Sequence, residues 1–439
     1  MSNEAPLSTR RHFLKTSATA VAAFSILPAL SGAESPSNKI VVGVMGTSRS
    51  SSGGDGRGTE LAVDFAKLPG VELRYICDAD SRNTPKATES IMKKAKPAKE
   101  PKSVPDFRTI LDDPEVDAIV IATPDHWHAP AAIVSCAARK HVYVEKPCSH
   151  NPREGELLVA AARKYQRVVQ HGTQRRTWPA LREAVEKLHS GVIGRITFGK
   201  GCYFGSRPTI GKGKVMPPPA WLDWQRWQGP APERPYRDNI VHYNWHWFWH
   251  WGTGELGNNA VHYVDFMRWG MGLDLPITVT SSGGKYRYPE DDQETPDTNV
   301  SSFDFGNATI TWEQRSWSPR NVQDQKHDMA FYGENGVLTI TWGGYTITDL
   351  KGVEIGKGTG DAGNTGHLQN FVDTIRGKAK LNSEIEEGAK SALICHLANI
   401  AYRTGHTIHF DPKKSEIIGD KKARSFWSRE YRKGWNLKV

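Results

Sequence analysis

The residue types best suited to chemistry gather at Glu145-Lys146-Pro147. Before them, His141-Val142-Tyr143-Val144 reads as a short buried strand that stops at a carboxylate, an ammonium and a proline unable to continue a ladder. At the carboxyl end of a strand in an open α/β sheet, a partly desolvated ammonium can hold and polarise a substrate hydroxyl. The same residues also fit a surface ion pair following a strand. What stands on either side of Lys146 decides between the two.

Upstream, Lys39-Ile40-Val41-Val42-Gly43-Val44-Met45-Gly46 reads as a strand entering a glycine turn, and Thr59 to Ala66 has helical spacing. Between them lie Thr47, four serines, Gly53, Gly54, Gly56 and Gly58. Strand, glycine loop and helix form the order a pyrophosphate cradle requires, with backbone close to the phosphates and unpaired N–H groups at the helix start. The spacing is irregular, so the loop alone is weak support. The next strand, Val71 to Cys77, ends at Asp78, which is placed to accept hydrogen bonds from an adenosine ribose and to repel a 2′-phosphate. NAD is therefore expected over NADP, with Arg82 nearby keeping the second open.

The alternation continues. Asp117 to Ala122 is a continuous apolar strand ending in Thr123-Pro124-Asp125-His126-Trp127-His128, and a helix follows from Ala129 to Ala138. After Lys146 come a helix over Pro152 to Lys164 and a strand over Arg167 to Gly172. Apolar strands alternating with helices imply a parallel sheet covered on both faces. His126 and His128, with no third ligand nearby, read as pocket-lining residues rather than a metal site.

In the carboxyl half, His242 to Trp251 interleaves histidine and tryptophan. Flat aromatic faces suit the C–H faces of sugar rings and the imidazoles can bond hydroxyls, although aromatics that fill a core give the same pattern. His242, His246 and His250 recur at helical spacing, a conceivable metal site, but no metal is expected. Ile196 to Phe204, Ile277 to Ser281, Asn299 to Phe305, Ala308 to Glu313, Met329 to Tyr332 and Val337 to Thr341 are β-type segments in succession, so this part is α+β.

The 439 residues suffice for two or three domains, and 38% hydrophobic with 24% charged residues is globular composition. The net charge of +9 is spread along the chain, which argues against nucleic acid as a partner. Five cysteines without C-x-x-C argue against a disulfide framework or a zinc site. Arg10-Arg11 with Phe13-Leu14-Lys15, an apolar run from Ala18 to Leu30 and Ser31-Gly32-Ala33 resemble a twin-arginine export signal too short to span a bilayer. The expected boundaries are a signal over 1–33, a linker over 34–38, a dinucleotide-binding domain over 39–175, an α+β domain over 176–412 and a basic tail over 413–439. Export machinery is an expected partner, the destination is the periplasm or beyond, and no membrane anchor is expected after signal removal.

Gly43-Val44-Met45-Gly46, Thr123-Pro124 with His128, and above all Glu145-Lys146-Pro147 resemble the glucose-fructose oxidoreductase, inositol dehydrogenase and MocA (Gfo/Idh/MocA) family. Ser190 to Ile196 is similar to the entry of that family's second domain, and Gly366 to Phe371 to its late helix. The resemblance implies an α/β Rossmann dinucleotide-binding domain followed by an α+β domain with a large, mostly antiparallel open sheet. It implies NAD-dependent oxidation of a sugar, cyclitol or glycoside hydroxyl, and a homo-oligomer. On this reading the cofactor-binding residues are Gly43, Gly46, Thr47, Gly56, Arg57, Gly58, Asp78, Thr123, Pro124, His126, His128, Glu145, Lys146 and Gln174. The substrate-binding residues are Lys146, Trp245, His246, Trp249, Glu255, Asn258 and His262.

From Glu255 onward the chain reads as a helix with positions 258, 262 and 265 on one face. The family carries an acid four residues before a histidine that removes the hydroxyl proton. His262 matches that histidine, with an imidazole suited to proton transfer near neutrality. Asn258 stands where the family has the acid, and an amide cannot take the proton. Lys146, His262 and Asn258 are the catalytic candidates, with Asp265 a partner of His262 or a structural contact. Export implies a tightly held, internally recycled cofactor. Two alternatives stand beside the dehydrogenase: an NAD-dependent glycosidase working by oxidation, elimination, water addition and re-reduction, and a non-catalytic sugar-binding protein on the same fold.

Overall fold

The computed structural model describes residues 39–48, 54–319, 329–435 and 437–439. The export signal and linker expected over 1–38 lie outside the described residues, as does Gly53 of the glycine loop.

Six strands, β1 (Ile40–Met45), β2 (Val71–Cys77), β3 (Lys102–Val104), β4 (Ala118–Ile121), β5 (His141–Val144) and β6 (Val169–His171), form a parallel sheet ordered β3-β2-β1-β4-β5-β6. β1 and β4 are buried along their whole length, which is why they read as unbroken apolar runs. Helices cover both faces: Arg57–Lys67 on one side, Asp125–Ala137 and Pro152–Lys164 on the other. The chain reverses direction across the sheet between β1 and β4, which opens a crevice at their carboxyl ends.

Ten further strands form the second sheet: β7 (Ile196–Phe204), β8 (Thr278–Gly284), β9 (Thr298–Asp304), β10 (Thr309–Arg315), β11 (Met329–Gly333), β12 (Gly336–Thr341), β13 (Gly344–Asp349), β14 (Glu354–Thr359), β15 (Ile408–Asp411) and β16 (Glu416–Ile417). Their order is β14-β13-β12-β11-β7-β10-β9-β8-β15-β16, and every pairing is antiparallel except β7 with β10. Burial alternates along β10, so one face packs on the helices Val261–Met271 and Ile385–Thr404 while the other is half-exposed. The expected strands lie where the sequence puts them. β13 and β14, whose residues include Gly344, Gly356 and Gly358, carry too weak an apolar alternation to be read as strands.

The boundary expected at residue 175 separates the chain in sequence, not in space. Leu368, Phe371 and Val372 of the helix Thr365–Ile375 pack with Phe65 and Tyr143 of the first domain. The expected basic tail is also folded back: β16 pairs with β15, Trp427 Nε1 donates to Glu156 (3.2 Å), Tyr431 donates to Glu154 (2.9 Å), and Trp435 meets Trp127 edge-on at 5.1 Å. Some of its positive charges meet local partners, as Arg432 does the Gln225 carbonyl and Glu233. Among the described residues no helix is long and apolar enough to cross a membrane.

Candidate active site

A cavity of about 700 Å³ runs along the carboxyl ends of the parallel strands. Met45 at the end of β1 and Gly46 after it, Asp78 after β2, Ala122 to Asp125 after β4, and Glu145 and Lys146 after β5 form one wall. The opposite wall comes from the second half of the chain: Gln225 to Trp227, His242, Tyr243, Trp245, His246, Asn258 and His262, with Arg432 and Trp435 of the carboxyl-terminal segment closing one end.

The glycine turn is built by contact distances. Gly46 has φ +92, and a Cβ there would lie 2.6 Å from the Ala122 carbonyl oxygen. A Cβ on Gly58 would lie 1.6 Å from the Gly46 carbonyl oxygen, so only glycine lets the helix start press onto the turn. Gly56 caps that helix and lines the cavity. Thr47 does not line it; its backbone N–H donates to Asp78 Oδ2 (2.7 Å), as does its hydroxyl (3.3 Å). Asp78 lines the cavity while also accepting from the Asp80 N–H and the Asn83 amide, and burial pushes its carboxyl upward against those hydrogen bonds. Arg82 is turned away, bonded to both oxygens of Asp80 and laid over Trp221 at 3.3 Å.

Arg57 Nε donates to Glu145 Oε1 (2.7 Å), a half-buried guanidinium on a buried carboxylate. Burial opposes the Glu145 charge, and the Arg57 and Lys146 cations outweigh it, holding the carboxylate below its ordinary range. Lys146 Nζ donates to both the backbone oxygen (2.8 Å) and the Oδ1 (3.0 Å) of Asn258. Burial lowers the Lys146 ammonium, with Glu145 and Asp125 acting against that. Asn258 in turn donates to Glu255 Oε2 (3.3 Å), and Glu255 is held by Arg207 (3.0 Å). The residue at the family's acid position therefore orients Lys146.

His262 reaches the same cavity from the other domain, and neither ring nitrogen has a hydrogen-bond partner among the described residues; Nδ1 is buried. Burial first, then the Lys146 and Arg175 cations, drive the ring well below the ordinary imidazole value. The expectation of titration near neutrality is thus corrected: His262 stays neutral there. Positions 258 and 262 share the cavity across a π turn, Leu256–Ala260, that precedes the α-helix. Asp265 does not join them. It forms a buried bidentate pair with Arg176 (2.8 and 3.0 Å) and accepts from Ser391 (2.7 Å), so of the two expected roles it takes the structural one.

Gly46, Gly56, Arg57, Asp78, Thr123, Pro124, His128, Glu145, Lys146, Gln174, Trp245, His246, Asn258 and His262 all meet at the cavity. Besides Thr47, five expected residues do not contact it. Gly43 lies mid-strand, where a Cβ would strike Ile110 at 2.5 Å, so its role is packing. Gly58 acts through the helix approach. His126 turns into the tryptophan cluster and donates to the Trp227 carbonyl (3.0 Å). Glu255 is buried behind Asn258. Trp249 points to the other side of its segment, because 244–247 is a tight 3₁₀ turn and the helical phase ends there. That turn also scatters the three histidines, which donate to Asp80 (His242), the Tyr243 carbonyl (His246) and the Pro232 carbonyl (His250). Among the described residues no three metal-ligating side chains cluster.

Reading the sequence missed Tyr243, Asp125, Arg226 and Trp435. Asp125 sits in the turn already singled out, and Tyr243 in the aromatic run. Nothing local marks Trp435.

The lining fits a dinucleotide. The Gly46–Gly58 approach clears space for a pyrophosphate at a helix start, and Thr123 Oγ1, Gln174 Oε1 and Arg57 Nη2 are buried polar atoms lacking protein partners. Such atoms call for a polar ligand.

Comparison with known proteins gives the same family twice. The model for the oxidoreductase family NAD-binding Rossmann fold (GFO_IDH_MocA) matches residues 40–173, and that for the family's C-terminal alpha/beta domain matches 200–287 and 358–437. A levoglucosan dehydrogenase of Pseudarthrobacter phenanthrenivorans is 29% identical over 39% of this chain and 37% of its own length. An alpha-N-acetylgalactosaminidase of Shewanella oneidensis is 31% identical over 36% of this chain and 38% of its own. The chain thus spans under two-fifths of either relative. In fold it is similar to the WlbA dehydrogenase of Bordetella pertussis, solved with NADH and UDP-GlcNAcA, with a TM-score of 0.62 and 20% identity over 85% of this chain and 99% of that one.

Proposed function

Since the chain belongs to the Gfo/Idh/MocA oxidoreductase family with its NAD-binding Rossmann fold, we propose that it oxidises a carbohydrate hydroxyl, with Lys146 and His262 as the catalytic side chains. The observation that carries this is their convergence: an ammonium from the Rossmann domain and an unengaged imidazole from the second domain line one cavity. NAD, when bound, supplies the hydride acceptor. The Gly46 turn and the start of the helix Arg57–Lys67 would hold its pyrophosphate, Asp78 its ribose, and Thr123, Gln174 and Lys146 the reactive end. Lys146 donates to the substrate hydroxyl and polarises it. His262, neutral at physiological pH, receives the hydroxyl proton. Asn258 fixes the ammonium through its two oxygens. Trp245, stacked on His246 at 3.6 Å, offers an apolar edge to a sugar ring.

A second reading is favoured by the glycosidase among the relatives. In it, oxidation at C3 acidifies the C2 proton, elimination releases the aglycone, water adds, and the carbon is reduced again, with no net redox change. We also propose export through the twin-arginine signal as a loaded protein, retention of the cofactor between turnovers, and assembly into a homo-oligomer. The test is to denature purified mature protein, identify any released nucleotide by mass, and follow absorbance at 340 nm across sugars and aryl glycosides. Absorbance change on a free sugar supports the dehydrogenase. Aglycone release without added NAD supports the glycosidase. Absence of bound or bindable dinucleotide, with no response to any sugar, refutes both and leaves the binding-protein alternative.

A further inference from the structure

Trp249, expected at the substrate, belongs to a second cavity of about 340 Å³. This cavity opens on the far side of the same segment. Thr253 lines it, while the Thr253 hydroxyl donates to Asp125 Oδ2 (2.5 Å) in the first cavity.

The charge on its walls is one-sided. Arg234, Arg403 and Arg429 line it against Glu430, and Glu294 stands behind Trp249. Elsewhere a guanidinium facing the interior meets a carboxylate at close range: Arg57 with Glu145 at 2.7 Å, Arg176 with Asp265 at 2.8 Å, Arg207 with Glu255 at 3.0 Å. Here Arg234 and Arg403 are exposed, Arg234 approaches Glu294 only to 4.0 Å, and the half-buried Arg429 has the Glu154 carboxylate near it without a close ion pair among the described residues.

Arg403 and Arg429 are held in place with donors to spare. Arg403 lies against the rings of Trp249 (4.9 Å) and Phe426 (4.1 Å), and no hydrogen bond engages it among the described residues. Aromatic contact takes up the face of a guanidinium and leaves its in-plane N–H groups for an acceptor. Arg429 Nη1 donates to His150 Nδ1 (3.1 Å) and to the His250 carbonyl (2.9 Å). Because arginine can only donate, Nδ1 is the acceptor and the His150 proton sits on Nε2. That Nε2 is buried and has no acceptor. An orphaned imidazole N–H between two positioned guanidinium groups, with Glu154 the one buried carboxylate near Arg429, suits an oxyanion.

We propose that this cavity binds the carboxylate or sulfate ester of an acidic saccharide, with Arg403, Arg429 and His150 on the oxyanion and Trp249 beside the ring. The saccharide half rests on the carbohydrate reading above; the oxyanion half stands on the donors alone. The site neighbours the first cavity through Thr253, so an acidic sugar unit there would sit beside the reacting one.

Calorimetric titration of the purified mature protein tests this with glucuronate, glucose 6-sulfate, glucose and inorganic sulfate as probes. The expected result is that at least one acidic sugar binds ten-fold or more tightly than glucose and than free sulfate. Arg403→Ala should weaken that binding ten-fold or more, Arg403→Lys should restore part of it, and Lys146→Ala should leave it unchanged. Arg403 is exposed at the end of the helix Ile385–Thr404, so its replacement keeps the fold, and an unchanged melting temperature checks this. Acidic sugars binding no tighter than glucose, or indifference of their binding to Arg403→Ala, would overturn the site, and free sulfate binding as tightly as the acidic sugars would overturn its assignment to a saccharide. Nucleotide release and Lys146-dependent turnover are read separately, so failure here leaves the oxidoreductase reading standing.

Discussion

Substituting Gly58 by alanine tests the glycine turn directly. The added methyl would sit 1.6 Å from the Gly46 carbonyl oxygen, where a carbon–oxygen contact needs about 3.3 Å. A Cβ has no rotamer and the oxygen belongs to the main chain, so no side-chain rotation relieves the clash, and helix and turn must part by roughly 1.7 Å. At that displacement one or two charge-assisted N–H contacts to a pyrophosphate are lost, each worth about 1.5–3 kcal/mol. The expected loss is about 3 kcal/mol, or roughly 100-fold in the dissociation constant for NADH. Fluorescence titration measures it, with circular dichroism to show that the fold persists. Gly363→Ala, which adds a methyl with nothing within 4 Å, is the control. If Gly58→Ala binds NADH within about three-fold of the parent while its melting temperature is unchanged, the cradle has been assigned to the wrong residues.

Replacing Lys146 by methionine or His262 by asparagine should each lower kcat/KM by about 10²–10⁴-fold on whichever substrate the panel identifies, without changing NADH affinity by a comparable factor. The active form pairs a neutral His262 with a charged Lys146. With both groups shifted down, kcat/KM should rise on an acid limb below pH 6.5 and fall on an alkaline limb below pH 10.5, and Lys146→Arg should move the alkaline limb up. Burial pushes the Glu154 carboxyl up from 4.5 to about 7, so the folded state keeps a proton that the unfolded chain releases. Stability should therefore decline as pH rises from about 4.5 to about 7, by about 3 kcal/mol, and Glu154→Gln should flatten the urea midpoint across that window. Asp265→Asn strands the buried Arg176 and should cost about 3–5 kcal/mol, read as a lower urea midpoint at constant pH.

The parallel sheet and its order of elements were legible because buried strands such as β4 are apolar throughout and each is followed by a helix of readable period. Lys146 was legible because a charged corner after such a strand has few other placements. Positions 258, 262 and 265 read as one helical face and His242, His246 and His250 as one helical spacing, whereas a π turn at 256–260 and a 3₁₀ turn at 244–247 reset the rotation. His126 was drawn away by carbonyls of a segment a hundred residues downstream, which no local pattern reports. The depressed His262 ring likewise follows first from burial and then from cations on other elements, Lys146 and Arg175 among them.

The carboxyl-terminal segment gives the molecule an unusual dependency. Trp435, wedged on Trp127 with Arg108 over its ring at 5.3 Å, belongs by sequence to one half and by contact to the other. A fragment cut after residue 175 would keep its strands and glycine turn yet have a gap in the wall that Arg432 and Trp435 supply. Swapping Rossmann modules between relatives would then transplant the floor of the nucleotide chamber without its door, and any chimera meant to exchange cofactor preference must carry both ends of the chain together.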